Sequence, residues 1–185
     1  MATQKSSSWP LAEAREVAED LITLLRPVCE KIEVAGSMRR NRALVGDVEL
    51  LVVSKEAPNT SLWLERPRLD ARILELIGER VLNYRLNKKG ARTFGPLNKL
   101  LVHTLSGVPV DLFSTTPENW GMALVVRTGP KDFNIRMMSR FKALGLKGHA
   151  YGGVEDSAGH QHDCPTEEEV FRLLQWPYVA PEKRV

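Results

Sequence analysis

The stretch VAGSMRRNRALVGDVELLVV, residues 34–53, ends in the apolar run of a buried strand yet carries two carboxylates one residue apart. In a strand, residues i and i+2 share a face, so Asp47 and Glu49 project together while Val48 and Leu50 face the core. Acids this close repel, and one retains its proton unless a cation intervenes. Asp111 raises the same question, because GVPVDLF is another apolar strand broken by one acid. The run NKLLVHTLSGVPVDLF reads as two strands joined at Ser106 and Gly107. With that hairpin beside the first strand, three carboxylates converge. Three hard oxygen donors suit Mg2+ or Mn2+, and paired ions about 3.5–4 Å apart serve displacement at phosphorus. The competing reading of each acid is a residue on a solvated strand face.

Working outward, KIEVAG alternates Ile32 and Val34 with charge and predicts a strand running into Gly36. Gly36, Ser37, Arg39 and Arg40 then supply a tight turn, a hydroxyl and two guanidiniums suited to phosphate oxygens. Ser8 as cap and Pro10 in the first turn predict an entering helix with Val17, Leu21, Leu24 and Val28 on one face. Segment 68–84 places Leu69, Ile73, Leu76, Ile77 and Val81 at helical spacing, and loop 54–68 precedes it. Beyond Pro130, a helix carries Phe133, Met137, Phe141 and Leu144 on one face and stops near Gly145. Thr166 to Glu169 form a capping box, and Pro177 stops the last helix. A boundary near residue 119 separates a mixed part, 1–118, from a smaller part, 119–185.

Composition narrows the class without choosing a function. A chain of 185 residues supports one domain, or a domain with a satellite, and a formal charge of +3 allows an anionic partner without demanding one. Cys29 and Cys164 lie far apart, and the first residues lack a signal-peptide run, so a reduced, intracellular setting and no membrane span are expected. Disorder is expected only in the first residues and one late loop. His160, His162 and Cys164 alternate soft donors, but no fourth ligand is evident for zinc.

The ordered motifs resemble the nucleotidyltransferase superfamily of DNA polymerase beta, and most closely DNA polymerase family X. Its G-S-x-R-R, about six residues and G-D-x-D are matched by Gly36 to Arg40, six residues and Asp47-Val-Glu49, with Asp111 in VPVDLF as the later acid. NWGMALVVRTGPKDFNIRM is similar to the family's TG turn and Asn-bearing helix, and TEEEVFRLLQWPYVAPEKR to its ending. The resemblance implies an α+β fold: a palm, residues 1–118, with a mixed sheet flanked by helices, and a small α/β thumb, residues 119–185. It implies Asp47, Glu49 and Asp111 as catalytic metal ligands for two Mg2+ ions, which Mn2+ can replace. Gly36, Ser37, Arg40, Thr128, Gly129 and Asn134 take the nucleotide-binding roles. The implied activity is dNMP transfer from a dNTP to a primer 3′-hydroxyl, as in short-gap repair or viral DNA synthesis. The implied partners are primer-template or gapped DNA and a dNTP, bound by a monomer of bacterial or viral origin.

There are four departures from the family pattern. Glu49 replaces the commoner Asp. Pro109 stands where an Arg often orients the third acid. Val126 and Arg127 replace an aromatic pair that helps select the sugar. The first helix leads straight into the palm, as in small viral members, so DNA affinity must come from other residues. Candidates are Arg85, Lys88, Lys89, Arg92 and Lys99, in fifteen residues without an acid, with Arg127, Arg136 and Arg140. A template-independent nucleotidyltransferase acting on RNA, a small molecule or a protein, and a catalytically silent DNA-binding protein, are the alternative readings. Arg39 and Arg127 read equally well as surface arginines, and Trp120 and Trp176 as packing residues.

Overall fold

The computed structural model describes residues 8–55, 68–151 and 153–185. In the first part come β1 (Trp9–Pro10), α1 (Leu11–Leu25), a 3-10 turn (Arg26–Val28), β2 (Cys29–Val34), α2 (Gly36–Arg39), β3 (Leu44–Val45) and β4 (Val48–Ser54). α3 (Arg68–Gly78), β5 (Leu82–Tyr84), β6 (Asn98–His103) and β7 (Pro109–Ser114) follow. The remainder holds α4 (Trp120–Thr128), α5 (Lys131–Ala143), β8 (Leu146–His149), β9 (Gly153–Asp156), β10 (Gln161–His162) and α6 (Glu167–Leu174). The fold is α+β, a palm-like mixed sheet flanked by helices with a smaller thumb-like α/β part.

The five-stranded sheet has the order β2-β4-β7-β6-β5. β4 and β7 run parallel, and the other neighbours are antiparallel. One face of β4 and β7, with Val48, Leu50, Val52, Val110 and Leu112, packs on Ala14, Val17 and Leu21 of α1 and on Leu69, Ile73 and Leu76 of α3. On the other face Leu51, Val53 and Phe113 lie beneath Trp120, Ala123 and Leu124 of α4. Each such side chain contributes about 1.5–3 kcal/mol when removed from water, so β4 is anchored from both faces. α4 covers the ends of β4 and β7, which leaves Glu49 and Asp111 on that same face next to the covered patch.

In the carboxy-terminal part, a three-stranded antiparallel sheet has the order β10-β9-β8. Its core joins Met122 and Val125 of α4, Phe133, Met137 and Phe141 of α5, Val154, Cys164 and Val170, Phe171 and Leu174 of α6. α4 is therefore a wall shared by both cores. α6 begins as its capping box requires, with Thr166 Oγ1 accepting the Glu169 N–H at 3.3 Å. It ends at Gln175, which has φ of 56°, two residues before Pro177.

Several expectations need correction. Pro10, not Ser8, occupies the α1 cap position, because Trp9 and Pro10 pair with Val45 and Leu44. The helix expected over 68–84 stops at Gly78, and Leu82–Tyr84 pair with β6. Arg80, with φ of 60°, turns the chain back, so the Val81 N–H reaches the Leu76 carbonyl at 2.9 Å. Val81 kept helical spacing because that turn packs on the helix it leaves. The late loop contains β10, whose Gln161 and His162 pair with Glu155 and Val154. The loop expected over 54–68 falls mostly outside the described residues.

Gly121 marks a close approach of α4 to the segment that enters α6: its N–H donates to the Cys164 carbonyl at 2.7 Å, and a Cβ there would overlap the Thr166 carbonyl. Backbone cannot swing aside as a side chain can. Gly121→Ala should lower the stability to denaturant by about 3 kcal/mol. Gly78→Ala, with open space around its Cβ, should leave the midpoint within about 0.5 kcal/mol or raise it.

Candidate active site

In the parallel register Glu49 pairs with Asp111, so both carboxyl groups leave the same face, with Asp47 two residues before Glu49. All three sit in partial or deep burial, and each carboxyl is raised above its ordinary range. For Glu49 burial acts first and the charges of Asp47 and Asp111 next, taking it up to about 8. For Asp47 burial is again the larger cause and Asp111 the second. Asp111 is raised by burial although the Arg85 guanidinium pairs with it and draws it down. Arg85 is itself fixed, its N–H donating to the Leu100 carbonyl at 3.1 Å and its Nε to Leu101 at 3.3 Å.

Glu49 and Asp111 share a face, Asp47 lies one residue before β4 instead of within it, and their charges act on one another, yet they are not a ready-made cage. Among the described residues no three His, Cys, Asp or Glu side chains are gathered tightly enough to hold a metal ion. Two contacts account for this: Asp111 is turned to Arg85, and the Glu49 carboxylate lies against Gly36. The donor chemistry still fits a divalent cation, since three hard oxygens crowded in low dielectric are relieved most directly by positive charge.

Gly36 ties the turn to the acids. It has φ of +62°, and a Cβ there would fall inside the Glu49 carboxylate. The Ala35 N–H donates to the Glu49 carbonyl at 2.8 Å, completing the junction of β2, α2 and β4. From this turn both arginines reach α4: Arg39 Nη1 donates to Thr128 Oγ1 at 3.1 Å, and Arg40 Nη1 donates to the Thr128 carbonyl. Ser37 is half-buried on the same turn. Asn134 supports the Thr128–Gly129 turn from α5, its Nδ2 donating to the Val126 carbonyl at 2.8 Å.

The basic residues expected to hold DNA separate into two groups. Lys88, Lys89 and Arg92 are exposed on a turn ordered by Asn87, whose side chain accepts the N–H groups of Lys89 and Ala91 at 2.9 and 3.1 Å. Lys99 is not on that surface: it is 1% exposed and paired with Asp70 at 2.9 Å, because its β6 position points under α3 and the loop. Arg85 serves Asp111, and Arg140 Nε donates to the Leu174 carbonyl at the end of α6 at 3.0 Å. Arg136 is exposed and meets the Val185 carbonyl. Arg127 lies between the rings of Phe113 and Tyr151, 3.7 and 4.5 Å from their centroids, and its charge is felt by Glu49 and Asp111.

Cys164 belongs to the core, where burial pushes its thiol up to about 11, and its Sγ faces the His162 carbonyl at 3.5 Å. His160 and His162 turn to Asp156 at 3.2 and 3.8 Å. Trp120 is buried, and Trp176 packs half-buried against the carboxy-terminal core. Sequence reasoning missed Glu167, the buried partner of Arg39 at 2.7 Å. Three consecutive glutamates hide which one turns inward, and of the three only Glu167 is buried.

The fold and this face define a nucleotidyltransferase-type palm with an attached thumb. Residues 123–185 match the family described as DNA polymerase beta thumb. Over 165 residues the chain is 27% identical to DNA polymerase lambda of Rattus norvegicus, covering 80% of this chain and 28% of that protein. It is 25% identical over 166 residues to Repair DNA polymerase X of African swine fever virus, Kenya isolate, covering 88% of this chain and 86% of the viral protein. The Namibia isolate's Repair DNA polymerase X is 24% identical over 162 residues. Over most of its length the chain is thus similar to these DNA polymerases, and its last third matches the thumb model. The chain spans little more than a quarter of the rat relative's length and most of the viral relative's. Among the described residues no helix is long and apolar enough to cross a membrane.

Gly36→Ala tests the junction of turn and acid. Its positive φ costs a Cβ-bearing residue about 1 kcal/mol, and displacement of Glu49 adds to that. A combined loss of about 1–3 kcal/mol is expected in denaturant unfolding. A variant as stable as the parent would show that Glu49 does not rest on the turn.

Proposed function

We propose that the chain is a template-directed DNA polymerase that adds a dNMP from a dNTP to a primer 3′-hydroxyl, acting on short gaps in repair or viral DNA synthesis. The observation that carries this reading is the parallel register of β4 and β7, which sets Glu49 beside Asp111 with the Gly36 turn directly on Glu49. The names of the relatives, each a DNA polymerase, support the same reading.

Asp47, Glu49 and Asp111 would hold two Mg2+ ions, with Mn2+ as substitute, once Asp111 exchanges Arg85 for the cation. Bound there, the ions supply charge stabilisation to a phosphoryl centre. The chain's own residues do the rest. Asp111 accepts the proton of the primer hydroxyl as the new O–P bond forms and the bond to pyrophosphate breaks. Ser37 and Arg40 bind the departing phosphates, and Asn134, with Thr128 and Gly129, orients the nucleotide. Such transfer is mainly positioning and electrostatics, so no covalent nucleophile is needed. Lys88, Lys89 and Arg92 form a fixed, exposed basic turn on the loop that follows Arg85, suited to a phosphate backbone without sequence preference. A template-independent transferase is favoured by one feature, the stacked Arg127 guanidinium in place of a sugar-selecting aromatic pair.

Primer extension on gapped DNA with single dNTPs and rNTPs tests both. The polymerase reading expects addition to follow the template base, with Asp111→Asn slower by about 10³-fold while still binding DNA. Lys88→Glu with Lys89→Glu should weaken DNA binding and lower its salt slope by about 0.9 per lost phosphate contact. Addition that ignores the template base supports the alternative, and full activity in Asp111→Asn contradicts both.

A further inference from the structure

We infer that a column of side chains, Asp70, Lys99, Phe94, Tyr84 and Arg92, presets the exposed basic turn at Lys88 and Lys89, making Lys99 and Tyr84 positioning residues for a DNA backbone. The inference rests on the proposed function for its ligand and adds to it the means by which the turn keeps its shape.

The chain between β5 and β6 has little of its own to hold it. It folds back through two single bridges, Leu86 to Arg92 and Phe94 to Lys99. At its tip the Asn87 N–H donates to the Ala91 carbonyl at 2.8 Å and the Gly90 N–H to the Asn87 carbonyl at 2.9 Å, with Gly90 at a φ of +75°. A lone two-stranded excursion is marginal in water, so its order must come from packing on the rest of the molecule. Tyr84 and Phe94 provide that packing, both half-buried against the core of the five-stranded sheet. Their rings meet edge to face with centroids 5.7 Å apart. A cation caps each ring: the Arg92 guanidinium lies 4.6 Å from the Tyr84 centroid, and the Lys99 ammonium 5.2 Å from that of Phe94.

Lys99 is the foot of the column. On β6 it shares a face with Leu101, which belongs to the core, and an ammonium buried there is tolerated only when paired. Asp70, in the first turn of α3, pairs with it at 2.9 Å, and its Nζ also donates to the Gly95 carbonyl at 2.9 Å. One ammonium therefore ties α3 and β6 to the returning arm of the turn. An apolar residue would fill the same space but could not hold the Gly95 carbonyl, so the buried pair serves geometry more than stability. At the far end Arg92 is exposed together with Lys88 and Lys89, and Asn87, which accepts from the turn's N–H groups, donates its Nδ2 to Thr93 Oγ1 at 3.2 Å. A turn already in its bound shape loses little conformational freedom when it meets phosphates, and affinity rises by that preorganisation.

The test compares the parent with Lys99→Met, which removes the foot, and Tyr84→Leu, which breaks the column and leaves the ion pair. Three quantities are measured on the whole chain: the denaturant midpoint, amide hydrogen exchange over residues 85–98, and affinity for a fluorescein-labelled gapped duplex at several salt concentrations. Both variants should exchange about tenfold faster over 85–98 and bind the duplex about tenfold more weakly. The salt slope should stay parental, because the phosphate contacts keep their number and only the preset shape is lost. A folded variant with a lowered midpoint but parental exchange and affinity makes the column merely structural and overturns the inference. If Lys99→Met does not fold, Tyr84→Leu, at the sheet edge, decides. A salt slope lower by about 0.9 in Lys99→Met would make Lys99 a phosphate contact in its own right. Faster exchange with parental affinity would show that binding does not depend on the turn's shape, and either result overturns the inference. A parent chain that binds no DNA overturns the proposed function and the positioning role together, whereas unchanged exchange in the variants overturns the column alone.

Discussion

The parallel pairing of β4 with β7 is the constraint on which the rest of the molecule depends. A one-residue slip would send Glu49 and Asp111 to opposite faces and bury one of them against α1 and α3. The register is held because the intervening residues are specified on both faces: Val48, Leu50 and Val52 are committed to one core, and Leu51 and Val53 to the packing beneath α4. The acids are thus placed by the apolar residues that alternate with them.

Crowded carboxylates raise one another and would destabilise the fold if nothing offset them. Three arginines stand around the group: Arg85 pairs with Asp111, and the charges of Arg40 and Arg127 act on Glu49. Arg127 is held by two aromatic faces, one on β7 and one between β8 and β9, so its charge is delivered from the thumb side. Arg39 turns away from the acids to Glu167. The arginines near the site therefore answer to different anions: Arg85, Arg40 and Arg127 to the sheet carboxylates, and Arg39 to Glu167.

Much of this was legible in the sequence, for identifiable reasons. The apolar strand that carries Glu49, the Ser106–Gly107 hairpin turn, the α5 stripe and the Thr166 cap are local patterns that survive into the fold, although the strand begins one residue after Asp47. What was lost depends on distant partners. β5 looked helical because the turn at Arg80 preserves the spacing of Val81. α4, apolar on nearly every side, has no stripe to read because it is covered by both cores. Lys99 read as a surface cation, and only the position of Asp70 on α3 shows it buried. Arg85 as the partner of Asp111, and Glu167 among three glutamates, are tertiary pairings that spacing does not encode.

The most direct measurement is a titration of Mn2+ into the intact chain, in the presence of a non-hydrolysable dNTP analogue, followed by electron paramagnetic resonance. The account predicts two bound ions per chain, with loss of binding when Asp47 or Asp111 is changed to Asn. Equal binding by the parent and both variants would mean that the sheet carboxylates do not gather the ions, and the account of the site would be wrong.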